Sequence, residues 1–365
     1  MTFSSAPIET VAVSAYRIPT DAPESDGTLA WDSTSLIVAE IAAGGRTGLG
    51  YSYGDPAAAT LIRGTLAAVL EGRDALATGG CWRALVRAIR NDGRPGIASM
   101  AISALDNALW DLKARLLGLP LARLLGTVSE SVEIYGSGGF TSYTDTQLSA
   151  QLAGWAEQGM TRVKMKVGRT PERDLARVET ARRAVPAEVR LMVDANGGYD
   201  RKQALAFAER FAALGVDWFE EPVSSEDLEG LRLLRDRLPA PIEVTAGEYG
   251  YDSRYFRRMI EAGAVDVLQA DATRCAGVTG FLAADALCRA FETPLSAHCA
   301  PALHCHLCCA ALKARHIEWF HDHVRIEALL LDGAPRPDGG RVAFDAGRPG
   351  CGLELKRRDA ERYAL

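Results

Sequence analysis

The 365-residue sequence predicts an α/β protein, a (β/α)8-type (TIM-like) barrel carrying an N-terminal α+β capping domain. Three observations predict it. From about Val132, short apolar strands alternate with helical stretches, and eight such units can be counted, the number that closes a barrel. Ionisable residues stand at the ends of these strands, 20 to 30 residues apart, about one unit each. The chain before this point reads differently, as long strand patterns followed by helices.

In the N-terminal part, 8–17 and 35–42 read as strands, and the polar, turn-rich stretch 20–34 between them reads as a loop. Helical patterns follow at 57–70 and 98–117, the second with Ile102, Leu105, Leu109 and Leu112 on one face. Barrel strands are predicted at 132–135, 162–167, 190–193, 216–219, 242–245, 265–269, 294–297 and 316–317. Helices between them include 146–158, 173–184, 201–214 and 253–262. An open doubly wound sheet would carry a Gly-rich dinucleotide fingerprint after its first strand, and none is present. The turn-rich end, 332–365, is expected to leave the barrel and pack back on the capping domain. The expected divisions are therefore 1–128, 129–331 and 332–365.

A composition of 48% hydrophobic and 24% charged residues is that of a globular protein. The net charge of −6, without a basic stripe, speaks against nucleic acid as a partner. No apolar run reaches a membrane span and no signal peptide opens the chain, so a cytoplasmic location is expected. Eight cysteines in a chain of this length are too few for a disulfide scaffold.

Of the 41 basic residues only six are lysine, and two of these stand two apart, at Lys164 and Lys166. Alternate residues on a strand share a face, so both side chains point the same way. Each ammonium should lower the pKa of its neighbour, and a lysine tuned toward neutrality can act as a base. The next three strands end in Asp194, Glu220 and Glu248. Like charges packed at one barrel mouth call for a cation, and three oxygen donors without Cys or His favour Mg2+, with Mn2+ as the alternative. Asp271 and His298 end the following strands; a carboxylate on one ring nitrogen fixes the tautomer and makes the other a base. Glu318 ends the last strand.

These motifs together resemble the enolase superfamily, in its mandelate racemase-like subgroup, over nearly the whole chain. They are Ser103-Ala-Leu-Asp106-Asn107-Ala-Leu-Trp110-Asp111-Leu112, Lys164-Met-Lys166, Asp194-Ala-Asn196-Gly-Gly-Tyr199, Trp218-Phe-Glu220-Glu221-Pro222, Gly247-Glu248, Asp271 with Gly277-Val-Thr-Gly280, and Ser296-Ala-His298. The resemblance implies that Asp194, Glu220 and Glu248 bind Mg2+, and that Lys166 and His298, the latter supported by Asp271, are bases on opposite faces of the substrate α-carbon. It implies that Lys164 and Asn196 lie near the substrate carboxylate and the enediolate, that Glu318 is an acid holding the enediolate, and that Ser137 touches the substrate carboxylate. It also implies a homo-oligomer, a dimer or an octamer.

The substrate is then a small-molecule carboxylate. The polarity of 20–34, with Asp26 and Trp31, and of the second loop with Tyr53 favours a hydroxylated substrate, hence an acid-sugar dehydratase. Racemisation or epimerisation of a hydroxy or amino acid derivative, and lactone cycloisomerisation, are the alternatives. Two other classes compete. His304, His306, Cys305, Cys308 and Cys309 could form a zinc module, though their spacing is wrong for a closed finger. A silent barrel used as a binding scaffold would have no need of a full acid–base set.

Overall fold

A computed structural model of the chain describes residues 5–365. Strands β1 (Ile8–Ser25), β2 (Ala30–Ala43) and β3 (Arg46–Tyr53) form an antiparallel sheet in that order. Alternation sorts its side chains. Ile37, Ala39 and Ile41 pack with Ile102, Leu105, Leu109 and Leu112 of the helix Ile97–Leu117. Leu36, Val38, Leu49, Tyr51 and Tyr53 join the barrel-side core instead. Burial on both faces explains the nearly unbroken apolar run of 36–43.

The stretch 20–34 is not a loop. β1 continues to Ser25 and β2 begins at Ala30, with a register irregularity between Pro19 and Glu24. The arm projects beyond the core, so its side chains carry no apolar alternation, while the backbone ladder closes without their help. At its tip Asp26 Oδ1 accepts from the Thr28 and Leu29 amides at 2.7 and 2.6 Å. A Cβ on Gly27 would lie 2.1 Å from the Ala195 carbonyl oxygen and 2.8 Å from that of Val167. The tip therefore rests on the loops that follow the second and third barrel strands.

The barrel comprises β4 (Ser131–Gly138), β5 (Arg162–Lys166), β6 (Arg190–Asp194), β7 (Val216–Glu220), β8 (Glu243–Ala246), β9 (Val267–Ala270), β10 (Leu295–Ala297) and β11 (Ala314–Phe320). Neighbours are parallel, and β11 pairs with β4 to close the ring. Tyr135, Met192, Trp218 and Val267 pack inside it, a floor beneath the strand ends. β12 (Leu331–Asp332) pairs with β14 (Glu354–Leu355), while β13 (Arg341–Ala343) adds to β4. The terminal segment touches the N-terminal part as well, where the Leu121 amide donates to Gly350 O at 2.7 Å and the Leu365 amide to Ala15 O at 3.0 Å.

The long helix Ile97–Leu117 joins the two parts. Ser103 Oγ accepts from the Ala276 and Gly277 amides, Asn107 Oδ1 from Val278, and Asp106 Oδ2 from Thr279, at 2.8 to 3.1 Å. These side chains satisfy the free amides at the start of the helix Gly277–Ala290. Asp111 accepts from Leu49 and Cys351 at 2.8 and 2.6 Å. The long motif of this helix thus docks cap on barrel. The opposite contact is equally tight, since a Cβ on Gly50 would sit 2.2 Å from the Ala108 nitrogen and 2.3 Å from the Ala104 oxygen. Gly50→Ala is expected to destabilise the protein by about 1–3 kcal/mol through overpacking, lowering Tm in calorimetry; an unchanged Tm would contradict this packing.

No helix among the described residues is long and apolar enough to cross a membrane.

Candidate active site

Parallel pairing puts the strand ends in register. Lys166 is level with Asp194, and Asp194 with Glu220. Ligand oxygens of Asp194, Glu220 and Glu248 all lie within 4.8 Å of one another, and all three residues are buried. Glu220 Oε1 is buried without a hydrogen-bond partner, as is Glu221 Oε1. Burial raises the pKa of Glu220, and the Asp194 charge adds to this; the result is about 8 despite Lys164. Buried, mutually repelling carboxylates with a spare oxygen are the donor set a hard divalent cation neutralises, so these residues fit Mg2+.

The two lysines approach this triad from one side. Lys166 Nζ lies 2.5 Å from Asp194 Oδ2. Lys164 Nζ lies 2.6 Å from Glu220 Oε2 and 2.8 Å from Glu318 Oε1, above the Tyr135 ring. The depression expected of their pKa values, which counts on the repulsion of a bound cation, does not come from the protein groups alone. Burial pulls both ammoniums down, but the carboxylates outweigh it, Asp194 for Lys166 and Glu220 with Glu318 for Lys164, and both are raised. A cation on Asp194 and Glu220 would compete for the same oxygens.

His298 approaches from the other side. Its Nδ1 is 2.9 Å from Asp271 Oδ2 and its Nε2 3.3 Å from Glu248 Oε2. Burial pushes Asp271 up, but the hydrogen bond and charge of His298 hold it well below the usual carboxylate range. Burial disfavours the imidazolium; Cys299, Glu248 and Glu318 outweigh this, and the His298 pKa is raised. The strand order therefore runs lysines, then the three carboxylates, then Asp271 and His298.

Glu318, expected as the acid that holds the enediolate, lies at the mouth beside Lys164. Its Oε1 accepts from Ser137 Oγ at 2.6 Å and its Oε2 from the Cys299 amide at 3.1 Å. Burial raises its pKa, but Lys164, with His298 and Lys166, holds it ionised, well below the usual range. Its carboxylate thus contacts Lys164, Ser137 and the Cys299 amide.

The expected loop residues separate. Asn196 sits at the mouth with φ +45° and a buried, unpartnered Oδ1. Trp31 donates from Nε1 to Glu24 Oε2 at 2.7 Å and lines a cavity of about 650 Å3 with Thr141, Arg169 and Thr170. Asp26 commits its Oδ1 to the turn at the arm's tip. Tyr53 is buried between cap and barrel, its ring stacked on His323 at 3.4 Å. Both were expected to face substrate; the turn takes one oxygen of Asp26, and the Tyr53 ring packs where cap meets barrel.

Two residues at the mouth were not singled out by sequence reasoning. Glu221 and Cys299 follow Glu220 and His298 directly, and strict alternation would turn them away. Left-handed backbone, φ +37° at Glu221 and +54° at Cys299, brings them in. The signal available was only their position beside a strand-end residue. Of the remaining histidines, His304 takes the Ala272 amide at 3.0 Å and contacts Cys299 O, while His316 contacts Ser296 Oγ at 2.9 Å. His306 contacts Cys351 O at 3.1 Å and His321 contacts Asp21 at 2.9 Å, so the suggested 304–309 zinc module has no convergent donors.

Both parts of the chain match known protein families. Residues 9–126 match the mandelate racemase/muconate lactonizing enzyme N-terminal domain, and residues 147–360 match the enolase C-terminal domain-like family. A mandelate racemase/muconate lactonizing enzyme-like protein from Rubrobacter xylanophilus is 55% identical, with a TM-score of 0.96 over 98% of this chain and all of that one. L-talarate/galactarate dehydratase from Salmonella typhimurium is 33% identical over 341 residues, 89% of this chain and 85% of the relative. Its crystal structure liganded with Mg and L-lyxarohydroxamate gives a TM-score of 0.90 at 30% identity, over 99% of this chain and 94% of that one. D-galactarolactone cycloisomerase from Agrobacterium fabrum is 33% identical over 262 residues, 70% of this chain and 69% of the relative. Matched at both its cap and its barrel, this chain belongs to the mandelate racemase/muconate lactonizing enzyme family of the enolase superfamily.

Proposed function

We propose that the protein is a Mg2+-dependent acid-sugar dehydratase, which removes the proton α to a substrate carboxylate and expels the β-hydroxyl as water, leaving a 2-keto-3-deoxy acid. One observation carries the reading: Lys166 and His298 flank the buried triad Asp194, Glu220 and Glu248 from two sides. Held by that triad, Mg2+ supplies a Lewis acid for the substrate carboxylate, whose α-proton is otherwise far too weakly acidic. Lys166 Nζ and His298 Nε2 each offer a site for a proton, on opposite faces. Asp271 fixes the His298 ring by holding Nδ1, leaving Nε2 toward the substrate. The protonated member can return its proton to the departing hydroxyl. Lys164, anchored by Glu220 and Glu318, places a positive charge where the enediolate forms. Tip contacts of the arm, including Thr28 Oγ1 near Asn196 O at 3.4 Å, cover the mouth and restrict water.

Dehydration is favoured over its rivals by the similarity to L-talarate/galactarate dehydratase along 89% of this chain. Lactone cycloisomerisation is the second reading, because the D-galactarolactone cycloisomerase matches at the same identity over 70%. A library of mono- and diacid sugars, assayed with Mg2+ for 2-keto products, should give at least one hit among the acid sugars. Isomerised lactones without any 2-keto product would establish the second reading instead.

A further inference from the structure

Beside the oxygen triad lies a second group of donors with different chemistry. His298 Nε2 is 3.3 Å from Cys299 Sγ, Cys299 Sγ is 3.4 Å from Glu318 Oε2, and His298 Nε2 is 3.7 Å from Glu318 Oε2. The three residues are almost fully buried, at 6, 3 and 1% exposure. A tetrahedral ion with bonds of about 2.0–2.3 Å to nitrogen, oxygen and sulfur separates its donors by about 3.3–3.6 Å. The observed triangle is close to one face of that tetrahedron. Its supports are also those of a metal site. Asp271 holds His298 Nδ1 at 2.9 Å, the carboxylate–histidine arrangement that orients a ligating imidazole. Ser137 Oγ, at 2.6 Å from Oε1, and the Cys299 amide fix the Glu318 carboxylate.

We infer that His298, Cys299 and Glu318 form a binding site for a thiophilic divalent cation of the zinc type, separate from the Asp194–Glu220–Glu248 triad. The two triads share no residue. Thiol and imidazole select against Mg2+, which demands oxygen, whereas three carboxylates do not. An ion here would occupy His298 Nε2, the lone pair that is to receive a proton, and would halt turnover; that consequence, unlike the site, rests on the proposed reaction.

Titration of the purified protein with Cd2+ in saturating Mg2+ tests the site through the ultraviolet thiolate-to-metal charge-transfer band, with Zn2+ affinity measured by calorimetry in the same buffer. The band should saturate at one equivalent. It should vanish in Cys299→Ser and Cys299→Ala but persist in Cys81→Ser, whose thiol lies in the cap. Zn2+ affinity should fall at least about tenfold in both Cys299 variants. Absence of the band in the unaltered protein, its persistence without Cys299, or displacement of the ion by excess Mg2+ would each overturn the inference. Absence of the band in the unaltered protein overturns the inference even if neither Cys299 variant folds.

Discussion

Lys166→Ala and His298→Asn are each expected to lower kcat for dehydration by roughly 10²–10⁴-fold, the usual worth of a positioned base or acid, while Mg2+ still binds. Both residues contact the triad without belonging to it, through Asp194 Oδ2 at 2.5 Å and Glu248 Oε2 at 3.3 Å. Losing one therefore removes a proton site and spares all three metal ligands. The two variants should also differ from each other. Exchange of the substrate α-proton with D2O should survive in only one of them, and the variant in which it stops identifies the base that abstracts the proton. Calorimetry with Mg2+ and steady-state kinetics check the pair. Full turnover in both variants would rule out a two-base mechanism.

Asp194→Asn should weaken Mg2+ binding on the order of 100-fold, with loss of activity in step. The substitution is nearly isosteric, and the amide oxygen can still accept from the Asn196 amide, which Asp194 Oδ1 meets at 2.9 Å. What it removes is charge. Asp194 faces Lys166 and repels Glu220, so the variant leaves a triad with one fewer negative oxygen beside the same lysines. Partial recovery at high Mg2+ is expected, and dialysis of the unaltered protein against EDTA should abolish activity reversibly. Mg2+ affinity unchanged in Asp194→Asn would remove Asp194 from the metal site.

The barrel and the line of strand-end groups were legible because each strand is short, apolar and closed by an ionisable residue, a pattern that burial enforces. The candidate metal triad was read from charge and donor type, since like carboxylates packed at one barrel mouth call for a cation. What escaped the sequence depends on backbone conformation and on contacts between distant segments. The arm of β1 and β2 is polar on both faces and looks like a loop, because its strands are held by each other rather than by a core. Glu221 and Cys299 enter the mouth through left-handed backbone that alternation does not anticipate. Tyr53 was read as a loop residue, yet it ends β3 and packs against His323 where cap meets barrel. The nearest partner of Lys166 is Asp194 on the next strand, not Lys164 on its own, a contact set by strand pairing that the sequence does not show.

The central claim is Mg2+-dependent removal of a proton next to a carboxylate, followed by loss of the β-hydroxyl. Incubation of a diacid sugar with the protein and Mg2+ in D2O, followed by NMR and mass spectrometry, tests it most directly. A 2-keto-3-deoxy product carrying solvent deuterium at C3, formed only with a divalent cation present, is expected. Neither exchange nor product across the acid sugars, or product formed equally well in EDTA, would contradict it.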